Sequence, residues 1–159
     1  MKLLKSQNSF GDERFTISVE EQNCIVTAQT LVSHVGEGEK VISHSDQDYL
    51  NCFFKNAAPI YKKSSTWLGT PNDIITLEFR TGDNDKNIKN LFAIQSLLQD
   101  PENGIKDKEN LEAAKQIVNQ ELKKYTSEQK KPIEDSVKEK VKEAKDKYSV
   151  NHQPVVNKR

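Results

Sequence analysis

The residues of this chain best suited to reaction chemistry are a cysteine and a histidine eight positions apart, Cys52 and His44. A thiol becomes a nucleophile when an imidazole, here of His44 or His34, takes its proton, and an acid such as Asp46 or Asp48 can orient that imidazole. The combination is compatible with a small thiol-dependent hydrolase centred on Cys52 and His44. Cys52, however, lies beyond the first turn of its predicted helix, and the helix dipole lowers a thiol pKa most within that turn. We therefore predict an ordinary thiol and no catalytic residue, with Cys52 and His44 as the weak candidates.

His44, Asp46 and Asp48 also offer ligand types that a divalent metal accepts. The acids have a simpler explanation, because carboxylates near a helix N-terminus complement the helix dipole. Ser45 followed by Asp48 has the spacing of a capping box, in which a hydroxyl and a carboxylate satisfy free backbone amides. We interpret these residues as the start of a helix, and we predict no metal, no cofactor and no small-molecule ligand.

A basic helix face would suit the phosphates of a nucleic acid, and the last predicted helix carries Lys138, Lys140, Lys142, Lys145 and Lys147. Three acids interleave with these lysines and cancel much of their field: Glu139, Glu143 and Asp146. The whole chain has 24 basic and 24 acidic residues, whereas binding through phosphates usually leaves a basic excess. A nucleic-acid accessory protein is therefore an alternative, and a solvated helix face is the preferred interpretation.

Large apolar side chains in a segment without regular periodicity suggest a binding surface for another protein. Tyr61, Trp67 and Leu68 lie in such a segment, between a predicted helix and a predicted strand. Aromatic residues in loops are frequent interface anchors, although Trp67 could instead close one end of the core. We favour a non-enzymatic protein-protein interaction or regulatory module with Tyr61, Trp67 and Leu68 as partner-binding residues.

Periodicity and breaker residues predict the elements that position these side chains. Alternating or β-branched stretches predict a hairpin of strands at residues 14–19 and 24–32, and further strands at 40–43 and 74–80. Apolar residues at helical spacing predict a helix at 46–57, which stops before Pro59, and a second helix between the polar turn at 82–85 and about Gln99.

Two narrow apolar stripes at helical spacing follow a breaker at residues 101–104. The first contains Leu111, Ala114, Val118, Leu122 and Tyr125, and the second contains Ile133, Val137, Val141, Ala144 and Tyr148. Proline is tolerated at the first position of a helix but disrupts a helix interior, so Pro132 favours a new helix there. We predict two antiparallel charged helices that pair with each other, with one kinked helix over residues 108–148 as the alternative.

Hydrophobic residues make up 34% of the chain, against about 45–50% in typical domains, but they are concentrated between Phe10 and Leu98. Early strands followed by later helices favour an α+β fold over a doubly wound α/β fold. The predicted fold is a small, mostly antiparallel sheet packed by two helices, with a charged C-terminal helical hairpin. It divides into a core domain at 1–100, a helical appendage at 101–149 and a disordered tail at 150–159.

Two cysteines, Cys24 and Cys52, are too few for a disulfide-dependent secreted fold of 159 residues. The first residues contain neither the apolar run of a signal peptide nor that of a membrane span. We expect a cytoplasmic protein, or one delivered by a secretion route that needs no signal peptide. The abundance of Lys, Asn and Gln is similar to that of small bacterial proteins, including effectors delivered into host cells.

Overall fold

The computed structural model describes residues 2–29, 32–35, 38–41, 44–65 and 71–151. Within these residues it contains a five-stranded antiparallel sheet and four helices, which confirms the predicted α+β class. The strands are β1 (Lys2–Gln7), β2 (Glu13–Val19), β3 (Asn23–Gln29), β4 (Val32–Val35), β5 (Gly38–Val41), β6 (Ile60–Ser65) and β7 (Pro71–Glu78). The helices are α1 (His44–Phe54), α2 (Asn84–Gln99), α3 (Lys108–Leu122) and α4 (Ser127–Asn151). No helix in the described part of the chain has both the length and the apolar character needed to cross a membrane.

The main sheet has the strand order β1-β2-β3-β7-β6, and each neighbouring pair is antiparallel, while β4 and β5 pair separately. One face of the main sheet supplies the core. A cross-strand row on that face consists of Leu4, Ile17, Val26, Ile75 and Tyr61. The first four side chains are buried, whereas Tyr61 on the edge strand β6 is 56% exposed. The core face of the sheet is therefore buried as far as β7 and becomes partly exposed at β6.

Several element boundaries differ from the predicted ones. The predicted strand 24–32 ends at Gln29, and the short strand predicted at 40–43 occupies 38–41. The first helix begins at His44 and ends at Phe54, because Lys55 and Asn56 form a turn instead of a further helical turn. Strands β1, β4 and β6 were not predicted, and β6 lies in the segment around Tyr61 whose sequence lacks regular periodicity.

Helix α2 lies at the centre of the core and packs against α1, α3, α4 and β7. It begins after Asp83, whose side chain accepts a hydrogen bond from the Lys86 amide. Its buried Asn90 joins two distant segments, because Oδ1 accepts a hydrogen bond from the Ala58 amide and Nδ2 donates to the Glu78 carbonyl, both at 2.8 Å. Buried polar groups are stable only when they are hydrogen-bonded, so Asn90 fixes the ends of β6 and β7 relative to α2.

The C-terminal region forms two helices, and the break between them lies at residues 123–126, before Pro132. Thr126 and Gln129 form a capping box, with the Thr126 amide 2.9 Å from Gln129 Oε1 and the Gln129 amide 3.1 Å from Thr126 Oγ1. Pro132 therefore lies inside α4, and the prediction that it opens the helix is wrong.

The apolar stripes of α3 and α4 belong to the main core. Helix α3 packs against α2 and β1, and α4 packs against α2 and α1. The buried members of these stripes are Leu111, Ala114, Val118, Leu122, Val137 and Val141. The composition of the sequence changes at residue 100, but the buried apolar cluster includes residues on both sides of it. Of the predicted tail, Val150 and Asn151 end α4, and residues 152–159 lie outside the described residues.

A short loop at residues 103–105 packs against the end of β1. The Ser6 hydroxyl donates to the Asn103 carbonyl at 2.5 Å, and the Gln7 amide donates to the Gly104 carbonyl at 2.9 Å. Gly104 has a φ of 73°, a region that L side chains rarely adopt. A Cβ atom there would lie 2.6 Å from the Gln7 carbonyl oxygen and 2.7 Å from Ser6 Oγ. The close approach of the loop to β1 therefore requires glycine.

We expect Gly104→Ala to lower the free energy of unfolding by about 1–3 kcal/mol, because it combines an unfavourable φ with a backbone clash. Gly82→Ala is the matched control, since a Cβ at Gly82 meets nothing within 4 Å, and it should stay within about 0.5 kcal/mol of the parent. Urea unfolding followed by circular dichroism measures both. Equal unfolding midpoints for the two variants would contradict the packing of this loop on β1.

Candidate interaction site

An apolar groove lies between α1 and the edge of the main sheet. Its volume is about 270 Å³, and its walls are formed by Ala28, Gln47, Leu50, Asn51, Tyr61, Lys62 and Ile75. Leu50 is a buried core residue of α1, while Gln47 and Asn51 are four residues apart and so share the side of the helix that faces the groove. The groove therefore has apolar side chains at its base and amides at its rim.

The position of β6 at the end of the sheet opens this groove. Tyr61 pairs with Ile75 in the β6–β7 register and lies on the core face, but no further strand lies beyond β6 among the described residues. Ile60, on the opposite face of β6, is 45% exposed. An edge strand with a free side presents backbone N–H and C=O groups that another extended chain can pair with. The groove and the edge thus adjoin each other.

Of the three predicted partner-binding residues, the structure places Tyr61 in the wall of the groove. Partial burial there raises the pKa of the Tyr61 phenol, so its hydroxyl remains protonated at neutral pH. Trp67 and Leu68 lie outside the described residues. Ala28, Leu50 and Ile75 also line the groove, but their spacing in the sequence is that of ordinary core positions and gives no sign of it.

The candidate thiol of Cys52 lies between two helices. Its Sγ is 3.4 Å from the Asp48 carbonyl oxygen and 3.6 Å from the Ala144 carbonyl oxygen of α4, and the residue is 4% exposed. Burial raises the pKa of the Cys52 thiol, and the nearby Lys145 ammonium only partly opposes that effect. Cys52 is therefore shielded from solvent, because α4 covers the face of α1 on which it lies.

His44 lies on the same helix as Cys52 but near its opposite end. His44 is the first residue of α1, and eight residues of helix separate two positions by about 12 Å along the axis. The backbone of His34 lies in β4, and the side chains of both histidines lie outside those that the structure describes. Cys24 is fully buried in the sheet, which raises the pKa of its thiol. Among the described side chains, no three His, Cys, Asp or Glu residues are placed to hold a metal ion.

We expect Cys52 to react with iodoacetamide at least about tenfold more slowly than a free peptide thiol at pH 8, because the reactive thiolate is disfavoured by burial. Mass spectrometry of labelled peptides measures the rate, and the Cys52→Ala variant assigns the signal. In denaturant both cysteines should label at the rate of a free thiol. Faster labelling of Cys52 in the folded protein than in denaturant would instead support a thiol-dependent hydrolase.

The densest polar cluster of the described residues surrounds Tyr49 on α1. The Tyr49 hydroxyl donates to Asp100 Oδ2 at 2.5 Å, and Lys145 of α4 forms ion pairs with Asp100, at 3.2 Å, and with Glu102. The Lys145 ammonium also lies 4.9 Å from the centre of the Tyr49 ring, within the range of a cation–π interaction. These contacts join α1, the end of α2 and α4.

Arg14 completes the Tyr49 cluster from the sheet. Ser6 pairs with Phe15 and Gln7 with Glu13, so Arg14 is the extra residue of a β-bulge, which can redirect a side chain. Its Nε donates to Asp46 Oδ1 at 2.8 Å, and its guanidinium lies 4.9 Å from the centre of the Tyr49 ring. Each of the charged groups in the cluster faces an opposite charge, an arrangement typical of a structural clamp.

Two pKa shifts in the Tyr49 cluster predict alkaline sensitivity. Burial, reinforced by the hydrogen bond to Asp100, strongly raises the pKa of the Tyr49 phenol. Burial acts to lower the pKa of Lys145, but its contacts with Glu102 and Asp100 outweigh this effect and raise it. A group whose pKa is higher in the folded than in the unfolded state stabilises the fold, and this stabilisation is complete below the unfolded pKa, which is about 10 for both groups. The stabilisation is lost as the pH rises through the folded pKa.

We expect Tyr49→Phe to reduce the free energy of unfolding by about 1 kcal/mol at pH 7, because it removes one buried hydrogen bond to a carboxylate. Above about pH 10 this variant should lose less stability per pH unit than the parent, since it lacks the shifted phenol. Tyr125→Phe, which removes a hydroxyl outside the cluster, is the control and should keep the alkaline slope of the parent. Urea midpoints measured between neutral pH and pH 11 test this, and identical slopes for Tyr49→Phe and the parent would contradict it.

No family model, curated protein or solved structure matches this chain. A functional conclusion therefore depends on the structure of this molecule alone. Its two cysteines are buried and the Tyr49 cluster is internally paired, whereas the groove beside β6 has apolar walls and adjoins a strand edge that pairs with no further strand among the described residues.

Proposed function

We propose that this protein is a non-catalytic interaction module, of the adaptor or regulatory kind, that binds an extended segment of a partner protein along β6. The observation that carries the proposal is the direct contact between a free strand edge and an apolar groove, with Tyr61 common to both. In recognition by strand addition, main-chain hydrogen bonds supply affinity and pockets for alternate side chains supply specificity. Strand β6 offers the first of these features and the groove offers the second.

The dimensions of the groove support a single anchoring side chain. Its volume of about 270 Å³ lies at the lower limit of the roughly 300–1,000 Å³ found for sites of drug-sized molecules. Its apolar base of Ala28, Leu50 and Ile75 suits an aliphatic or aromatic side chain of the bound segment. The amides of Gln47 and Asn51 at the rim are hydrogen-bonding groups of the kind that position a main chain.

The charge around the groove supports an acidic segment. Among the described residues of its wall, Lys62 is the one that carries a charge, and it is exposed on the edge strand. A carboxylate in the bound segment, next to the residue that enters the groove, would complement this lysine. Such complementarity contributes to specificity and to the rate of association more than to affinity.

The test is selection from a displayed library of extended peptides, followed by affinity measurements on synthetic copies. We expect the selected peptides to pair an aliphatic or aromatic residue with a neighbouring acid. Tyr61→Ala should weaken their binding at least about tenfold, equivalent to about 1.4 kcal/mol, because it removes part of the groove wall. Lys62→Glu should also weaken binding, since it reverses the charge that faces the peptide.

Lys86→Glu is the matched control, because it makes the same charge reversal at an exposed position of α2 outside the groove. Its affinity should stay within about twofold of the parent. Amide resonances of β6 and of residues 47–51 should shift when peptide is added. Selected peptides that bind the Tyr61→Ala and Lys62→Glu variants as tightly as the parent would exclude this site.

A further inference from the structure

A second recess lies on another side of the molecule, where the end of α1, the first half of α2 and the middle of α4 meet. Its volume is about 300 Å³, and three of its wall residues are lysines from three separate elements: Lys55, Lys89 and Lys140. All three lysines are exposed at the surface. Because none of them shares an element with another, the tertiary packing of α4 on α1 and α2 creates this concentration of charge.

The local charge of this recess departs from that of the chain as a whole. The chain carries equal numbers of basic and acidic residues, 24 of each, yet the wall residues that the structure describes include three lysines and no acid. None of the ion pairs found among the described residues engages Lys55, Lys89 or Lys140. Glu134, on the same helix as Lys140, instead pairs with Lys138 at 2.6 Å.

The remaining wall residues show what kind of anion the recess suits. Ser136 brings a hydroxyl that can donate to a phosphate oxygen, and Asn56, whose Nδ2 donates to the Cys52 carbonyl at 3.3 Å, has a second amide hydrogen that can do the same. Ile133 and Val137 provide an apolar surface beside them. Lysine ammonium groups bind phosphate as point charges, and a concave site with an apolar wall favours a small molecule over an extended polymer.

We propose that the recess formed by Lys55, Lys89 and Lys140, the lysine pocket, binds a small phosphorylated anion that carries at least two negative charges. Three lysines in the wall of one concavity attract such an anion more strongly than a singly charged one. A nucleic acid is the less favoured ligand, because Glu139 and Glu143 lie on α4 close to Lys140, and a polymer that follows the helix would meet them. The lysine pocket is independent of the groove beside β6.

The test is a titration of the full chain with pyrophosphate at low ionic strength, followed by amide resonances and by calorimetry. We expect saturable shifts at residues 55–57, 89 and 133–140, and a dissociation constant below about 1 mM. Lys89→Gln and Lys140→Gln should each weaken binding at least about fivefold, and the double variant should abolish it. Exposed lysine-to-glutamine changes leave the fold intact, which circular dichroism checks.

Lys142→Gln is the matched control, because it removes the same charge from α4 at an exposed position outside the pocket. Its affinity for pyrophosphate should stay within about twofold of the parent. Equal weakening by Lys142→Gln and Lys140→Gln would contradict the proposal, since it would show that binding follows the overall charge. Absence of saturable shifts with pyrophosphate would contradict it too. So would single-stranded DNA that binds more tightly than pyrophosphate and whose binding Lys142→Gln also weakens.

Discussion

The attachment of α4 through Lys145 is the constraint on which much of this structure depends. Helix α4 is mostly charged, and Val137 and Val141 are its fully buried apolar residues among those described. Lys145 adds ion pairs with Asp100 and Glu102 at a place where its side chain is only 14% exposed. Removing one partner of a largely buried ion pair leaves an uncompensated charge, which costs more than the pair itself contributes. When packed in this position, α4 covers Cys52 and brings Lys140 toward Lys55 and Lys89.

Buried asparagines play a similar part in the loops. Asn103 donates from Nδ2 to the carbonyls of Leu97 and Leu98, both at 3.0 Å, and its Oδ1 accepts from the Ile105 amide. Asn87 bonds to the Thr81 amide, hydroxyl and carbonyl at the start of α2. An unpaired buried amide costs about 1–3 kcal/mol, so each asparagine specifies one loop conformation. In the sequence alone, such polar residues could be taken for functional groups. Their hydrogen bonds to the backbone show that these asparagines fix the loops instead.

The class of the fold could be predicted because its central elements have strong patterns. The alternation of Phe15, Ile17 and Val19 and the apolar face of α2 both produce buried surfaces as expected. The two edge strands could not be found, since β1 buries only Leu4 and Ser6 and the described core-facing residue of β6, Tyr61, is half exposed. The burial of Cys52 was missed for a different reason: it depends on a helix 92 residues further along the chain. The groove and the lysine pocket combine residues from distant elements, so spacing in the sequence carries no sign of either.

The hydrogen bond between Ser6 and Asn103 spans 97 residues and holds the end of β1 against the loop at 103–105. During translation, β1 emerges before β2 and can then pair with it, but the loop that holds its end follows only after α2 has left the ribosome. Contacts of large sequence separation slow folding, because the loop between them must be closed before they contribute. Strand β1 is thus made before the other described elements and is among the last of them to gain all its contacts. Nascent chains halted before residue 103 would therefore leave that edge open to other chains, including other copies on the same polysome.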